Sequence, residues 1–419
     1  MKAPRQWQAK RLKYAVHRST EKVLVEPGSR YVGLENIESW TGRYLPTEAE
    51  IEAESVRFRS GDVLFGKLRP YLAKVHVART DGTCTSEMLV LRPGAQVSAE
   101  FLFYRLVSAD FIDLVNSTTF GSKMPRADWE QIGNIPVGIP GPDEQANIVS
   151  LLDGKTAEID LLQARKQRLI GLLDEKRAAL ISRAVTRGLD PQARLKDSGI
   201  AWMGEVPAHW KEHRLSGLAG FVGGSTPTID RLDYWGGDIF WASPKDMKVS
   251  HLSQTEDRIT DTALREWGMV LLQPPAVLLV VRGMILAHSL PVAVSQVPLT
   301  INQDMKALVV RPGCSAEFLM RWFQGTKHGL ASLIEQSAHG TRCLRTDLLK
   351  QVRCFLPRPD EQAQICQHIW DNCAALGEAR SRMSKAIDRL REYRSALITA
   401  AVTGQFDIRK HEKKMEALN

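Results

Sequence analysis

The chain has 419 residues, enough for two to four domains of ordinary size. Its hydrophobic fraction of 43% and charged fraction of 25% are those of a folded protein, which excludes wholesale disorder. Lysine and arginine total 56 against 48 acidic residues, and the net charge of +8 suits a polyanionic partner without requiring one.

Three features predict a reduced, cytoplasmic protein without a membrane segment. The longest apolar run, Met269–Val281, is interrupted by Gln273 and two prolines and is too short to span a bilayer. The basic start MKAPRQWQAKRLK lacks the apolar core of a secretory signal. The six cysteines form no C-x-x-C pair and have no histidine cluster beside them, which indicates free thiols rather than a zinc site.

The first block, residues 1–142, mixes short β-like runs with polar turns, which predicts an α+β domain. The predicted strands are Asp62–Phe65, Ala73–Ala78 and Met88–Leu91, followed by a helix at Ala99–Ser108. Basic residues lie in or beside its turns, where arginine can read guanine edges and lysine can bind phosphates. The predicted DNA contacts are Lys67, Arg69, Lys123 and Arg126; the alternative is that these are ordinary solvated charges.

The next segment, residues 143–188, is predicted to be one long helix. Asp143 can cap its N-terminus, and Gly188 can cap its C-terminus. Apolar residues recur at steps of four and three, a heptad pattern typical of a coiled coil. The predicted seam residues are Ile148, Leu152, Ile159, Leu162, Leu169, Leu173 and Leu180.

The second block, residues 189–359, repeats the character of the first. Its predicted strands are Val277–Val281, Pro291–Val294 and Ala307–Val310, and its predicted helix is Ala316–Gln324. The loop GTRCLRTD at Gly340–Asp347 aligns with GSKMPRAD at Gly121–Asp128. The predicted DNA contacts of this block are Lys245, Arg282, Arg342 and Arg345.

A second helix, residues 360–404, repeats the first at a constant offset, the step from Asp143 to Asp360, which we call the repeat offset. At this offset PGPDEQANI and LISRAVT recur as PRPDEQAQI and LITAAVT. Its predicted cap is Asp360, and its predicted seam is Ile365, Ile369, Asn372, Leu376, Ala379, Met383, Ala386, Leu390, Tyr393 and Leu397. Two matched helices most simply pair with each other, and antiparallel; the alternative is that each packs on its own domain. Residues 405–419 form a charged tail.

Catalytic constellations are missing from the sequence. It contains no G-x-x-x-x-G-K-[ST] loop, no G-x-S-x-G and no H-E-x-x-H. The tetrad with which amino-methyltransferases hold a target base, Asn or Asp followed by Pro-Pro-aromatic, is also absent, since the only Pro-Pro pair lies in QPPA. We therefore expect no enzymatic activity, although a nuclease built from dispersed acidic residues would escape this search.

Several segments together resemble the specificity subunit of type I restriction–modification systems. They are VPAHWKEHRL at 206–215, the two PDEQ helix starts, and the endings LISRAVTRG and LITAAVTG. The likeness covers essentially the whole chain as two blocks, each followed by a helix. The first block opens with PRQWQAKRL in place of VPAHWKEHRL, so its beginning matches less closely.

The resemblance implies an α+β fold with two similar target-recognition domains, separated by two long helices that form an antiparallel coiled coil. Each domain would read one half of a bipartite double-stranded DNA site, and the helices would set the spacer. Two methyltransferase (M) subunits would dock on the helical segments, and restriction (R) subunits would join them. The implied partner-binding residues are Asp143, Glu144, Gln145, Asp360, Glu361 and Gln362.

The resemblance also implies that this chain performs no chemistry and binds no cofactor. S-adenosylmethionine would belong to the M subunits, and ATP and Mg²⁺ to the R subunits. Two other functions stay open: a single-chain DNA-modifying enzyme, and a coiled-coil adaptor without a nucleic-acid role. The missing motifs count against the first alternative, and the basic loops count against the second.

Overall fold

The computed structural model describes residues 7–25, 30–46, 54–336 and 340–405. The chain divides into two units, Met1–Arg168 with Met383–Asn419, and Leu169–Arg382. We call them unit 1 and unit 2. The division cuts through both long helices, which the sequence did not predict. From residue 406 onward the predicted charged tail lies outside the described residues.

The first half of the chain contains short strands, three short helices and one long helix. The strands are β1 (Gln8–Arg11), β2 (Val16–Ser19), β3 (Lys22–Leu24), β4 (Tyr31–Val32), β5 (Glu54–Phe58), β6 (Val63–Gly66), β7 (Val75–Val77), β8 (Gly82–Cys84), β9 (Met88–Pro93) and β10 (Pro136–Ile139). The helices are α1 (Ala99–Val107), α2 (Ala109–Ser117), α3 (Trp129–Ile132) and α4 (Pro142–Arg187). The predicted strands and the helix of the first block are confirmed as β6, β7, β9 and α1.

The second half has the same character. Its strands are β11 (Leu195–Asp197), β12 (Glu205–Pro207), β13 (Lys211–Arg214), β14 (Ala219–Gly223), β15 (Trp235–Ala242), β16 (His251–Leu252), β17 (Asp257–Ile259), β18 (Val277–Val280), β19 (Val292–Ser295), β20 (Leu299–Ile301), β21 (Met305–Val310), β22 (Ile334–Gln336), β23 (Arg342–Leu344) and β24 (Arg353–Leu356). Its helices are α5 (Leu215–Leu218), α6 (Asp261–Glu266), α7 (Ala316–Leu330), α8 (Thr346–Gln351) and α9 (Pro359–Val402). The predicted elements are confirmed as β18, β19, β21 and α7.

Unit 1 is built on two four-stranded sheets, in the orders β2-β9-β6-β7 and β3-β5-β8-β4. Strand β6, whose sequence VLFG has no polar side chain, is buried along its whole length. Helix α1 packs against this sheet with its N-terminus capped by the Ser98 hydroxyl. The same core takes up Ile148 and Leu152 from α4 together with Leu397 and Ile398 from α9.

Unit 2 has a five-stranded sheet, β14-β21-β18-β19-β16, and a three-stranded sheet, β17-β15-β20. Its core takes up Ile365 and Ile369 from the start of α9, and Ile181 and Ala184 from the end of α4. The first pair corresponds, one repeat offset along the chain, to the two α4 residues buried in unit 1. The repeat in the sequence is therefore a repeat of the way a block packs on its helices.

The two long helices run antiparallel, as predicted. In unit 1, Arg394 Nε lies 3.2 Å from Asp160 Oδ1. In unit 2, Arg380 Nε lies 3.2 Å from Asp174 Oδ1. Between the two pairs α4 advances by two heptads while α9 goes back by two heptads, so both pairs keep one register.

The seam prediction was wrong at four positions. Leu162 and Leu169 are 43% and 48% exposed, whereas the neighbouring Ile170 is 7% exposed and Gln163 is half-buried. In α9, Asn372 and Tyr393 are exposed, and Cys373 and Arg394 take their places. The predicted pattern followed leucine, asparagine and tyrosine at these four positions, whereas the next residue along the chain takes the seam position in each case, and two of those residues, Gln163 and Arg394, are polar.

The predicted caps Asp143 and Asp360 were also wrong. Helix α4 begins at Pro142, and the Gln145 N–H donates to the Gly141 carbonyl oxygen at 2.9 Å. Helix α9 likewise begins one residue before its aspartate. Proline fits the first helical position because its missing N–H would have no partner there. The aspartates lie in the first turn, where they still favour the positive end of the helix dipole.

Three further observations concern chemistry. Of the helices in the described ranges, none is long and apolar enough to cross a membrane. Those ranges hold no group of three or more His, Cys, Asp or Glu residues that could bind a metal ion. The six cysteines are free thiols, and burial raises the pKa of Cys314 and Cys366 to about 12, so both stay protonated at neutral pH.

Candidate nucleic-acid interface

In unit 1 the turn after β6 lies beside the loop 120–127. The Arg69 N–H donates to the Pro125 carbonyl oxygen at 2.7 Å, and the Ala127 N–H donates to the Lys67 carbonyl oxygen at 3.0 Å. These bonds bring the first two predicted DNA contacts to the loop that carries the other two. Lys123, on that loop, is exposed.

Unit 2 repeats this arrangement after β18. The Gly283 N–H donates to the Arg342 carbonyl oxygen at 3.0 Å, and the backbone of Arg282 forms a β-bridge with Cys343. Arg282 and Arg342 are therefore neighbours in the structure. No described contact joins Lys245 to them; it lies in a turn after β15.

The predicted alignment of the two basic loops was wrong by two residues. In unit 1 the residue after β6 that forms the bridge is Leu68, and its partner is Arg126; in unit 2 the bridge joins Arg282 to Cys343. Backbone pairing thus makes Arg126 equivalent to Cys343, one repeat offset along the chain, and not to Arg345. The short motif G-[ST]-base-x-x-Arg matched by composition, but the backbone hydrogen bonds decide the register.

Three of the eight predicted DNA contacts are already paired with carboxylates. Arg126 makes two hydrogen bonds to Glu87, at 2.8 and 3.2 Å. Lys245 lies 2.7 Å from Asp257. The bidentate bond that a planar guanidinium can form with a carboxylate fixes its orientation.

Arg345, the third, binds Asp347 through two hydrogen bonds, at 3.0 and 2.7 Å, and Glu335 through a third at 3.0 Å. The hydrogen bonds from Arg345 lower the pKa of Asp347 to about 2. Both groups therefore stay charged throughout the neutral pH range, and the pair contributes little net charge to the surface.

Among the described residues, the other five predicted contacts have no ion pair. They are Lys67, Arg69, Lys123, Arg282 and Arg342. Arg69 differs from the rest, because its backbone is left-handed at φ 51° and its buried Nε has no hydrogen-bond partner there. The remaining four are the cations best placed to meet phosphate groups.

The sequence did not predict the acidic residues at this surface. Glu87 and Asp304 occupy equivalent places, because the Lys67 N–H donates to the Glu87 carbonyl oxygen at 2.9 Å and the Val281 N–H donates to that of Asp304 at 2.8 Å. The recurrence of Ser86–Met88 as Gln303–Met305 was the available signal, since the middle residue of both triplets is acidic.

Each block is fastened to its long helix by one buried glutamine. In unit 1 the Ser98 N–H donates to Gln145 Oε1 at 2.9 Å, while Gln145 Nε2 donates to the carbonyl oxygens of Gln96 and Pro140 at 2.8 and 2.9 Å. We call this set of three bonds the amide clamp. It joins the loop before α1 to the first turn of α4.

The amide clamp recurs in unit 2 at every atom. Gln362 accepts from the Ser315 N–H at 2.8 Å and donates to the carbonyl oxygens of Gly313 and Pro357 at 2.8 and 2.9 Å. All four positions lie one repeat offset from their counterparts in unit 1. The recurring PDEQ motif thus has a structural use within each block.

The preceding glutamates have a similar use. Trp7 Nε1 donates to Glu144 at 3.1 Å, and Trp210 Nε1 donates to Glu361 at 2.9 Å. Of the six predicted partner-binding residues, Gln145 and Gln362 are 2% and 0% exposed. Asp143 and Asp360 are exposed, so of the six residues they are the most accessible to a partner. Partner binding by these residues stays a prediction.

The Gln145→Ala substitution is expected to lower the free energy of unfolding by about 2–4 kcal/mol, because it removes three hydrogen bonds and leaves the buried Pro140 carbonyl oxygen without its partner. Urea unfolding of the purified chain measures the effect. The control is Gln167→Ala, an exposed position on the same helix. Equal effects of the two substitutions would show that the clamp contributes nothing to stability.

Curated relatives match parts of this chain. The specificity subunit of the type I restriction enzyme MjaIX from Methanocaldococcus jannaschii is 32% identical over 167 residues, which are 39% of this chain and 38% of the relative. The chain spans about two fifths of the length of the first curated relatives it matches. No family model matches it.

Two solved structures share the fold over nearly the whole chain. A chain from a structure of complex assembly and conformational transition of the type I R-M system has a TM-score of 0.76 at 18% identity, covering 97% of this chain and 100% of that one. The HsdS subunit from Thermoanaerobacter tengcongensis has a TM-score of 0.53 at 19% identity, covering 97% and 99%. The resemblance to type I specificity subunits is confirmed.

Proposed function

We propose that this chain is the DNA-specificity subunit of a type I restriction–modification enzyme and performs no chemistry itself. The observation that carries the proposal is the repeated arrangement of each unit. An equivalent amide clamp fastens each block to a long helix, and each block presents cations on the turn after a buried strand, β6 or β18, and on the loop beside that turn. Two such blocks suit a DNA site made of two halves.

The differences between the blocks support an asymmetric site. Where unit 1 has Leu68 and Arg126 at the bridge, unit 2 has Arg282 and Cys343. The side chains change while the backbone arrangement is kept, so the two blocks offer different groups to base edges at the same place. Each block would then read its own half-site.

The partners follow from the same proposal. Two M subunits would dock on the helical segments, and R subunits would join that assembly. S-adenosylmethionine would be bound by the M subunits, and ATP and Mg²⁺ by the R subunits. The long helices would set the number of unspecified base pairs between the halves, because a coiled coil resists bending.

The purified chain is expected to transfer no methyl group from S-adenosylmethionine to DNA, whereas its complex with cognate M subunits methylates a bipartite motif. The measurement is methyl incorporation into genomic DNA, followed by sequencing of the methylated motif. A mobility-shift assay with and without the M subunits distinguishes the alternatives. Methyl transfer by the chain alone would indicate a single-chain enzyme, and a complex that never binds DNA would indicate an adaptor.

A further inference from the structure

Unit 1 contains a cavity of about 1010 Å³ where α4 and α9 meet the loop at residues 38–41. We call it the unit 1 cavity. Trp40, Val107 and Ile398 contribute apolar surface to it. A cavity of this size with apolar walls can hold one or two large side chains of a partner.

Two buried donors at the unit 1 cavity lack hydrogen bonds within the described residues. One is Gln163 Nε2. The other is Arg394 Nε, which lies 3.2 Å from Asp160 Oδ1 without making a hydrogen bond, although Arg394 Nη1 donates to the Trp40 carbonyl oxygen at 3.0 Å. Buried donors without acceptors are costly, so an occupant that supplies carbonyl or carboxamide oxygens would be favoured.

The charges of the unit 1 cavity argue against a nucleic acid as the occupant. Glu38, Asp160 and Glu392 line it against only two arginines, Arg391 and Arg394. Phosphate groups would be repelled by this excess of carboxylates. A peptide segment with an apolar side chain suits the cavity in two respects. Its side chain can pack against the apolar lining residues, and its carbonyl groups can accept hydrogen bonds from the two buried donors.

We propose that the unit 1 cavity is a docking site for one M subunit, which inserts an apolar side chain and its neighbouring carbonyl groups. This inference rests on the proposed function, because it names where one of the two M subunits is held. Both long helices, on which that function places the M subunits, contribute to its walls.

Unit 2 does not repeat the unit 1 cavity. Its helix segments carry a smaller cavity of about 390 Å³, lined by Lys176, Arg183 and His368 and by no acidic residue. Ala179, which lines that cavity, lies one repeat offset before Ala396, which lines the unit 1 cavity. The repeated helices therefore carry cavities that differ in volume and in the charge of their lining residues, and the larger of the two is in unit 1.

These two alanines provide a matched test, because both are exposed on a long helix. Ala396→Trp places an indole ring in the unit 1 cavity and obstructs it, and Ala179→Trp places the same bulk at the equivalent position of unit 2. Native mass spectrometry of the full chain titrated with M subunit is expected to show two bound copies for the wild type and for Ala179→Trp. For Ala396→Trp one of the two is expected to bind at least about 30-fold more weakly, as for the loss of a binding hot spot.

Several outcomes would overturn the inference. Two tightly bound copies on Ala396→Trp, or the same loss for both variants, would remove the unit 1 cavity from the interface. A chain ending at Gln405 that binds M subunits more tightly than the full chain would assign the cavity to residues 406–419. If the wild-type chain binds no M subunit, the proposed function fails, and the two failures are thus distinguishable. Thermal unfolding of both variants checks that they fold.

Discussion

Replacing Lys67, Lys123, Arg282 and Arg342 together by alanine is expected to weaken DNA binding by the M-containing complex about 100-fold and to lower the salt dependence by about three to four released counterions. These four cations have no ion pair within the described residues and lie on the turn-and-loop surfaces of both units. Fluorescence anisotropy at several salt concentrations measures both quantities. Where one of the arginines reads a base, the methylated motif should also relax in that half-site alone.

A control variant that keeps the net charge of the protein distinguishes direct contact with DNA from general electrostatic attraction to it. Glu87→Gln with Arg126→Gln, combined with Arg345→Gln and Asp347→Asn, removes two carboxylates and two guanidinium groups together. Because these arginines are already bound to carboxylates, we expect the affinity and the salt dependence to change little. Loss of binding in this control, with normal binding in the first variant, would reverse the assignment of the DNA contacts.

Lengthening both long helices by one heptad is expected to keep both half-site sequences and to lengthen the spacer between them by two to four base pairs. Seven residues add about 10 Å of helix, and B-DNA rises about 3.4 Å per base pair. The insertions belong between Arg168 and Leu169 and between Lys385 and Ala386, because the register of the ion pairs places these two points opposite each other. Sequencing of the methylated motif measures the spacer.

A single insertion in α4 alone is the matching control. It would shift one helix by a heptad against the other and separate the partners of at least one ion pair, either Asp160 with Arg394 or Asp174 with Arg380. We expect that variant to be less stable and poorly active. An active double-insertion complex that methylates the original motif with its original spacer would show that the helices do not set it.

Local patterns in the sequence were sufficient for the elements that depend on neighbouring residues. The short β-like run at Asp62–Phe65 predicted strand β6, and the heptad steps predicted both long helices. The recurrence of PDEQ at the repeat offset predicted two matched helix starts, although not that Gln145 and Gln362 would join each block to its helix. The predicted caps were one or two residues too late because the prediction considered only the side-chain chemistry of aspartate. Each helix begins instead at the preceding proline, Pro142 or Pro359.

What the sequence by itself determined was therefore the repeat, the alternation of blocks and helices, and the type of most elements, because these follow from periodicity within a few residues. The tertiary structure alone decided that polar Gln163 and Arg394 take seam positions in place of Leu162 and Tyr393, since a seam is defined by what faces it. It also decided that Arg126 binds Glu87, a partner far away in the chain, and is equivalent to Cys343 rather than Arg345. Such contacts depend on backbone hydrogen bonds between segments distant in the chain, and no local pattern carries that information.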